Sequence, residues 1–314
     1  MDTIVAVDLG GTQIRVATFS PDSDKPLQIK KIPTKTAKSQ PYDRVVEAIS
    51  SLWPKDKQVR CISAAIPGPV DPKTGVIVST PNIEGWKDFP LGAKLHNQFN
   101  VPVYLGNDAN LAAIGEWEYG AGKGHCDLLY LTVSTGIGGG VIINNQLLEG
   151  SRGMGGELGH VTVLARGPMC SCGKRGHLEA VASGTAIVRH VKKQLAKGKK
   201  SVLQDSDDLT ARDIASAART GDKLAITALA RAGKFIGHAL ADFLVIFNPT
   251  IVIFGGGVSF SGDFLFNPMR KALKKNVMDH EYLDNLEITI ASLGDDAGLL
   301  GALALAKSKT KHDN

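Results

Sequence analysis

The segment MCSCGKRGHLE, Met169 to Glu179, places two cysteines, a histidine and a glutamate side by side in a chain with only four cysteines. With His160 ten residues before Cys170, the residues Cys170, Cys172 and His177 complete a set of four soft or borderline donors. Tetrahedral zinc takes such a set. A short turn carrying free, buried thiols would have the same spelling, so the spacing alone leaves both readings open. If a metal is held by four protein groups, no position remains for water or substrate, and its role is structural.

A second kind of chemistry is written in glycine-rich turns. Gly10, Gly11 and Thr12 follow a strand-like run that ends near Asp8, and Ser134, Thr135, Gly136 and Gly138 follow another. Without Cβ atoms, such turns let several backbone N–H groups converge on an oxygen anion. A lone turn of this kind reads first as a plain hairpin, and the pairing of two such turns shifts the reading toward phosphate. No GxxxxGK[ST] phosphate loop is present, and both turns run into a further β-like segment rather than a helix, which disfavours a dinucleotide fold. Asp8 is suited to Mg²⁺, directly or through water.

Asp108 stands between the strand-like VPVYL and the helical LAAIGEWEY. A carboxylate there could accept a proton from an attacking hydroxyl, or Asn107, Asp108 or Asn110 could simply cap the helix.

The elements that must position these groups alternate along the chain. TIVAVDLGGTQIRVATFS reads as two strands about a glycine turn, YDRVVEAISSLW as a helix, and VRCISAAIPGPV as a strand closed by a turn. CDLLYLTVSTGIGGGVIINNQLLEG repeats the opening arrangement near mid-chain, as a duplicated domain would. Two helices follow the cysteine segment, the first with Thr210 and Asp213 spaced as a capping box, then the strand TIVIFGGGVS and an apolar helix in GDDAGLLGALALAKS. AKGKKSVLQDSDD reads as a mobile surface loop. The pattern predicts an α/β class with helix-covered sheets.

At 314 residues, 43% hydrophobic and 21% charged, the composition is that of a globular chain with a substantial core. The net charge of +5 is thinly spread, densest at Lys197–Lys200 and near the C-terminus, and predicts no nucleic-acid partner. Sparse, uneven cysteines, including Cys61 and Cys126, predict a reducing compartment. The opening MDTIVAVDLGG lacks a basic leader and no run approaches 18 apolar residues, so a cytoplasmic protein with no membrane partner is expected.

Taken together, DLGGTQIR, STGIGGG and FGGGVS resemble the phosphate and adenosine motifs of the sugar kinase, Hsp70 and actin superfamily. Within it the chain resembles the ROK family, and especially its bacterial ATP-dependent glucokinases, through PGPVD (67–71), PNIEGW (81–86), GNDAN (106–110), GELGH (156–160) and CSCGKRGHLE (170–179). The resemblance implies a two-lobed actin-like ATPase fold with ATP and sugar in the interlobe cleft. Residues 1–108 would form a small α/β lobe, joined by the C-terminal helix 296–314. Residues 109–295 would form a large α/β lobe carrying a zinc-binding segment, 157–179.

The resemblance further implies phosphorylation of the 6-hydroxyl of D-glucose, with Asp108 as general base. An aspartate near its usual pKa would serve, because the proton leaves late in a loose transition state. Gly68, Asn82, Asn107, Glu157, His160 and Glu179 would bind the sugar with Asp108. ATP and Mg²⁺ would be held by Asp8, Gly10, Gly11, Thr12, Arg15, Ser134, Thr135, Gly136, Gly138, Gly255, Gly256 and Gly257. Structural zinc would sit on His160, Cys170, Cys172 and His177, the last standing where the family has a cysteine. Homodimers or homotetramers are implied. Another hexose (mannose, fructose, allose or an N-acetylhexosamine), or a sugar-sensing regulator without catalysis, are the alternatives. A repressor would carry a helix-turn-helix ahead of the first phosphate motif, and Asp8 leaves no room for one.

Overall fold

The opening strand–glycine–strand run forms β1 (Thr3–Leu9) and β2 (Gln13–Phe19), antiparallel, with Asp8 opposite Arg15 across the pair. β3 (Pro26–Pro33) extends the sheet beyond β2. After α1 (Pro41–Ser51), β4 (Val59–Ile66) returns parallel to β1. Three short strands, β5 (Val70–Asp71), β6 (Val76–Ser79) and β7 (Lys87–Phe89), make a small separate antiparallel sheet. Then α2 (Leu91–Phe99) leads to β8 (Val103–Asn107), parallel to β4, and α3 (Asp108–Tyr119) starts directly at its end. The computed structural model describes residues 2–35, 39–56, 58–80, 83–204 and 206–310.

The second half repeats this plan. β9 (Leu128–Val133) and β10 (Ile137–Ile143) form the second hairpin, and β11 (Gln146–Leu147) lies beyond β10. Four helices follow: α4 (Leu178–Ala182), α5 (Gly184–Leu195), α6 (Ala211–Arg219) and α7 (Lys223–Phe247). β12 (Ile251–Gly255) joins β9 in parallel, α8 (Asp263–Asn276) crosses over, β13 (Glu287–Ile290) joins β12, and α9 (Ala297–Thr310) ends the described chain.

The strand orders are β3-β2-β1-β4-β8 and β11-β10-β9-β12-β13, so the two five-stranded sheets share one order counted within each half. α3 and α9, each following the fifth strand of its half, pack against each other. They also separate the two sheets. Ile4, Ala6, Cys61 and Ala65 of the first sheet pack with Leu111, Leu299 and Leu303, while Tyr130, Ile142, Ile251 and Ile253 of the second pack with Ala112, Ala113 and Ala297. A helix in that place needs apolar residues all round, which is how α9 reads: Leu299, Ala302, Leu303 and Ala306 are all buried. Truncating one such leucine to alanine costs about 2–5 kcal/mol.

The outer sheet faces are covered separately. Val5, Val7 and Leu9 pack under α1, α2 and the small sheet; Leu129, Leu131 and Val133 pack under α4 to α8. Alternate residues of β1 and β9 thus serve opposite faces, as strand geometry requires. The capping box at Thr210 and Asp213 is formed. The stretch 196–208 is tethered at Ser201 and Val202, both donating to the Asp222 carboxylate at 2.8 Å, while Asp205 lies outside the described residues. Among the described residues no helix is long and apolar enough to cross a membrane.

Candidate functional site

The cysteine segment folds into a tight knuckle. Cys170 N–H donates to Lys174 O at 2.7 Å, Gly173 N–H to Cys170 O at 3.0 Å, and Gly176 N–H to Pro168 O at 2.9 Å. Gly176 has φ +74°, and a Cβ there would lie 1.7 Å from Leu164 O, so the return of the chain needs glycine. His177 then occupies the cap position before α4, and His160 arrives from the short 3₁₀ helix Leu158–His160.

One donor atom from each of His160, Cys170, Cys172 and His177 falls within 4.8 Å of the others. His160 Nδ1 is 3.3 Å from His177 Nδ1 and 3.6 Å from Cys170 Sγ, and Cys172 Sγ is 3.3 Å from His177 Nδ1. Metal–nitrogen and metal–sulfur bonds of about 2.0–2.3 Å span tetrahedral edges of about 3.3–3.8 Å, so these residues fit a four-coordinate ion. His160 turns its other nitrogen, Nε2, to Glu157 Oε2 at 3.8 Å.

Asn107 is the residue that caps α3: its Oδ1 accepts the N–H groups of Ala109 at 3.0 Å and Asn110 at 3.1 Å. Its amide Nδ2 donates to Gly68 O at 3.0 Å, which joins the helix start to the PGPVD turn. Asp108 is thereby left as the first helical residue with a solvent-accessible side chain. Although open to solvent on one side, Asp108 is crowded by protein on the others. That desolvation, with the nearby charges of Asp8 and Glu157, pushes it up to about 7 against the pull of the Ala109 N–H. This corrects the expectation of an ordinary aspartate pKa, which took no account of three carboxylates converging. Glu157 is also raised, by burial first and then by Glu179, with His160 opposing.

The first glycine turn is closed by Gly10 N–H donating to Gln13 O at 2.8 Å and backed by Thr34, whose hydroxyl donates to Gly10 O at 2.6 Å. Asp8 at its base is raised to about 6 by burial, which outweighs Arg15 and is reinforced by Asp295. Arg15 is engaged with the Asp295 carbonyl and the Asp296 carboxylate. In the second turn, Ser134 N–H donates to Gly136 O at 2.9 Å, while Gly184 N–H and the Thr185 hydroxyl donate to the carbonyls of Ser134 and Thr135 at 2.7 and 2.8 Å. Gly138 lies against Ala109 of α3, so the second turn adjoins the Asp108 helix. Gly255 ends β12 against Tyr130, Gly256 backs onto Val133, and Gly257 is open.

Glu179, in the first turn of α4, reaches the second turn: Oε2 accepts the Ile137 N–H at 3.1 Å, and Oε1 accepts the Ser171 hydroxyl at 2.8 Å. Asn82 lies outside the described residues. Thr34, Ser171, Thr185, Asp295 and Asp296 escaped the sequence reading, although GDDAG was in view as a helix start.

The family description "ROK family" matches residues 4–309. A glucokinase of Thermotoga maritima is 37% identical over 314 residues, covering 98% of each chain. The crystal structure of a ROK family glucokinase from Streptomyces griseus in complex with glucose and AMPPNP aligns with a TM-score of 0.82 at 33% identity, over 98% of this chain and 99% of that one. A xylose repressor of Caldicellulosiruptor bescii is 32% identical over 270 residues, 85% of this chain and 67% of the repressor. Likeness of this extent, on an architecture of two matching sheets about paired helices, means that the chain belongs to the ROK family and has its two-lobed, actin-like ATPase fold.

Proposed function

We propose that this protein is an ATP-dependent hexose kinase that transfers the γ-phosphoryl group of ATP to the 6-hydroxyl of D-glucose. The observation that carries the reading is the position of Asp108, whose carboxyl feels both Asp8 at the first glycine turn and Glu157 beside the histidines. A base between a phosphate cradle and a polar sugar wall is what a kinase acting on an alcohol requires.

Asp108 accepts the 6-hydroxyl proton as the oxygen attacks phosphorus. The raised pKa brings it near neutrality, where a substantial fraction is ionised and the base is still able to take a proton. Glu157, Glu179, the Nε2 side of His160, Asn107 and the Gly68 backbone form the sugar wall; carboxylates, amides and imidazole suit hydroxyls that donate and accept. An epimer that leaves one of these groups unpaired is disfavoured, which is the source of hexose selectivity. The turns at Gly10–Thr12 and Ser134–Gly138 offer N–H groups to phosphate oxygens, and Gly255–Gly257 border the adenosine.

Asp8 is the residue that would hold Mg²⁺, which when bound neutralises charge on the phosphates. His160, Cys170, Cys172 and His177 would hold zinc, which supplies rigidity to the knuckle and no reactive ligand position. The lobes would divide at 108, with 1–108 and the C-terminal helix on one side and 109–295 on the other; the packing of α9 on β1 and β4 supports that division. The four cysteines are free, which suits a reducing cytoplasm.

The test is coupled ADP release by zinc-replete protein across a hexose panel. Glucose giving the highest kcat/KM is the expected result. Another hexose in that place would change the substrate, and ADP release independent of any sugar would remove the kinase reading.

A further inference from the structure

Glu116 sits two turns beyond Asp108 on α3, with none of its surface exposed. A buried carboxylate is tolerable only when its oxygens are hydrogen-bonded. Oε2 accepts from Ala121 N–H at 2.9 Å, Ser292 N–H at 3.1 Å and the Ser292 hydroxyl at 3.2 Å; Oε1 accepts from Leu293 N–H at 2.8 Å. The sequence GEWEYGAG makes room for this. Gly120 and Gly122 both donate to Glu116 O, curling the helix end round the carboxylate. A Cβ on Gly120 would lie 2.1 Å from Oε2 and 2.9 Å from Ser292 Oγ.

The segment that Glu116 grips leads to the nucleotide side. Leu293 O accepts Asp296 N–H at 3.0 Å, closing the turn into α9. Arg15 donates to Asp295 and Asp296 in that turn, and one residue into α9 Gly298 lies against Asp8, where a Cβ would be 2.7 Å from the carboxyl carbon. The strap 292–298 is therefore tied to the Asp108 helix at one end and to Asp8 and Arg15 at the other.

We infer that Glu116 is a positioning residue for the nucleotide: through the strap it sets Asp8 and Arg15 against the first phosphate turn. This rests on the proposed reading that ATP phosphates lie at that turn. A merely structural Glu116 would affect stability without separating nucleotide from sugar.

The experiment uses full-length Glu116→Gln. The glutamine amide must face at least one N–H donor, so one or more of the four hydrogen bonds is lost with the fold's shape kept. Dissociation constants for AMPPNP and glucose are measured by calorimetry, with KM for ATP and glucose alongside. Loss of a hydrogen bond to a charged acceptor predicts AMPPNP binding and ATP KM weakened about tenfold, with glucose binding within about twofold. Gly120→Ala should shift the same pair in the same direction, and Ser292→Ala, which removes one side-chain donor, keeps the test decisive if neither folds. Folded variants with unchanged nucleotide affinity, or with equal weakening of both ligands, overturn the inference alone. A wild type that fails to bind AMPPNP overturns the functional reading and this inference with it.

Discussion

Glu179 accepts the N–H of Ile137 at 3.1 Å, so the residue next but one to His177 is fastened to the start of β10, at the second glycine turn. Gly136 permits this approach, since a Cβ there would lie 2.5 Å from Glu179 Oε2. The same carboxylate takes the Ser171 hydroxyl from within the knuckle. The cysteine–histidine segment is thus joined to both the proposed sugar wall and the proposed phosphate cradle.

Glu179→Gln separates charge from shape. Its oxygen can still accept from Ile137, and Ser171 can reverse its hydroxyl to accept from the new amide, so stability should change by less than about 1 kcal/mol. Glucose KM should rise about tenfold with the loss of a charged acceptor. Glu179→Ala leaves Ile137 N–H unpaired and should cost about 1–3 kcal/mol in denaturant unfolding.

His177 decides whether the knuckle holds zinc with four ligands. His177→Cys should keep stoichiometric metal, because thiolate is an equally good donor, while His177→Ala should lose most of it and unfold several kcal/mol more easily. Elemental analysis of the purified variants checks this. Unchanged zinc in His177→Ala would exclude that residue as a necessary ligand. Chelation of the wild type should weaken glucose binding more than AMPPNP binding, because the proposed reading assigns His160 and Glu179 to the sugar wall.

Asp108 should leave a mark on pH dependence. As a base it must be ionised, so kcat/KM for glucose should climb with pH through a midpoint near 7, the raised value of this carboxyl. The stability effect has the opposite sign. Between the unfolded value of 3.8 and about 7 the folded protein holds the proton and the unfolded chain does not, so this group's contribution falls as pH rises across that window. Asp108→Asn should therefore gain stability over wild type at pH 8 and gain none at pH 3, measured by urea unfolding at the two pH values.

Asn107 has two separable duties. Asn107→Asp retains an oxygen for the Ala109 and Asn110 N–H groups, so α3 stays capped, but turns a carboxylate oxygen toward Gly68 O in place of a donor. Glucose KM should rise several-fold, and the carboxylate oxygen facing the Gly68 carbonyl should cost about 1–3 kcal/mol in unfolding. Asn107→Ala loses the cap as well and should cost about 1 kcal/mol.

What the sequence disclosed was local. The glycine turns, the Thr210–Asp213 capping box and the cysteine knuckle are each spelled within a few adjacent residues, and the repeated hairpin announced the two sheets. The cap at α3 was undecided because Asn107, Asp108 and Asn110 all carry suitable oxygens; only backbone direction selects Asn107. The small sheet β5–β7 is built from strands of two to four residues, too short for periodicity. α8 carries Pro268 inside it, which breaks the helical signal. Arg15 with Asp296 and Glu116 with Ser292 are separated by 281 and 176 residues, and pairing at that distance follows from the tertiary fold.

On the proposed function, Asp108 does chemistry rather than cap a helix. Asp108→Asn keeps the side chain's size, and Asn107 already caps α3, so the variant should fold and bind glucose within about threefold of wild type while kcat falls by at least about 100-fold. Glucose binding by calorimetry and ADP release by coupled assay, made on one preparation, separate the two roles. Glucose should bind normally with turnover lost; near-normal turnover would remove Asp108 from the role of base.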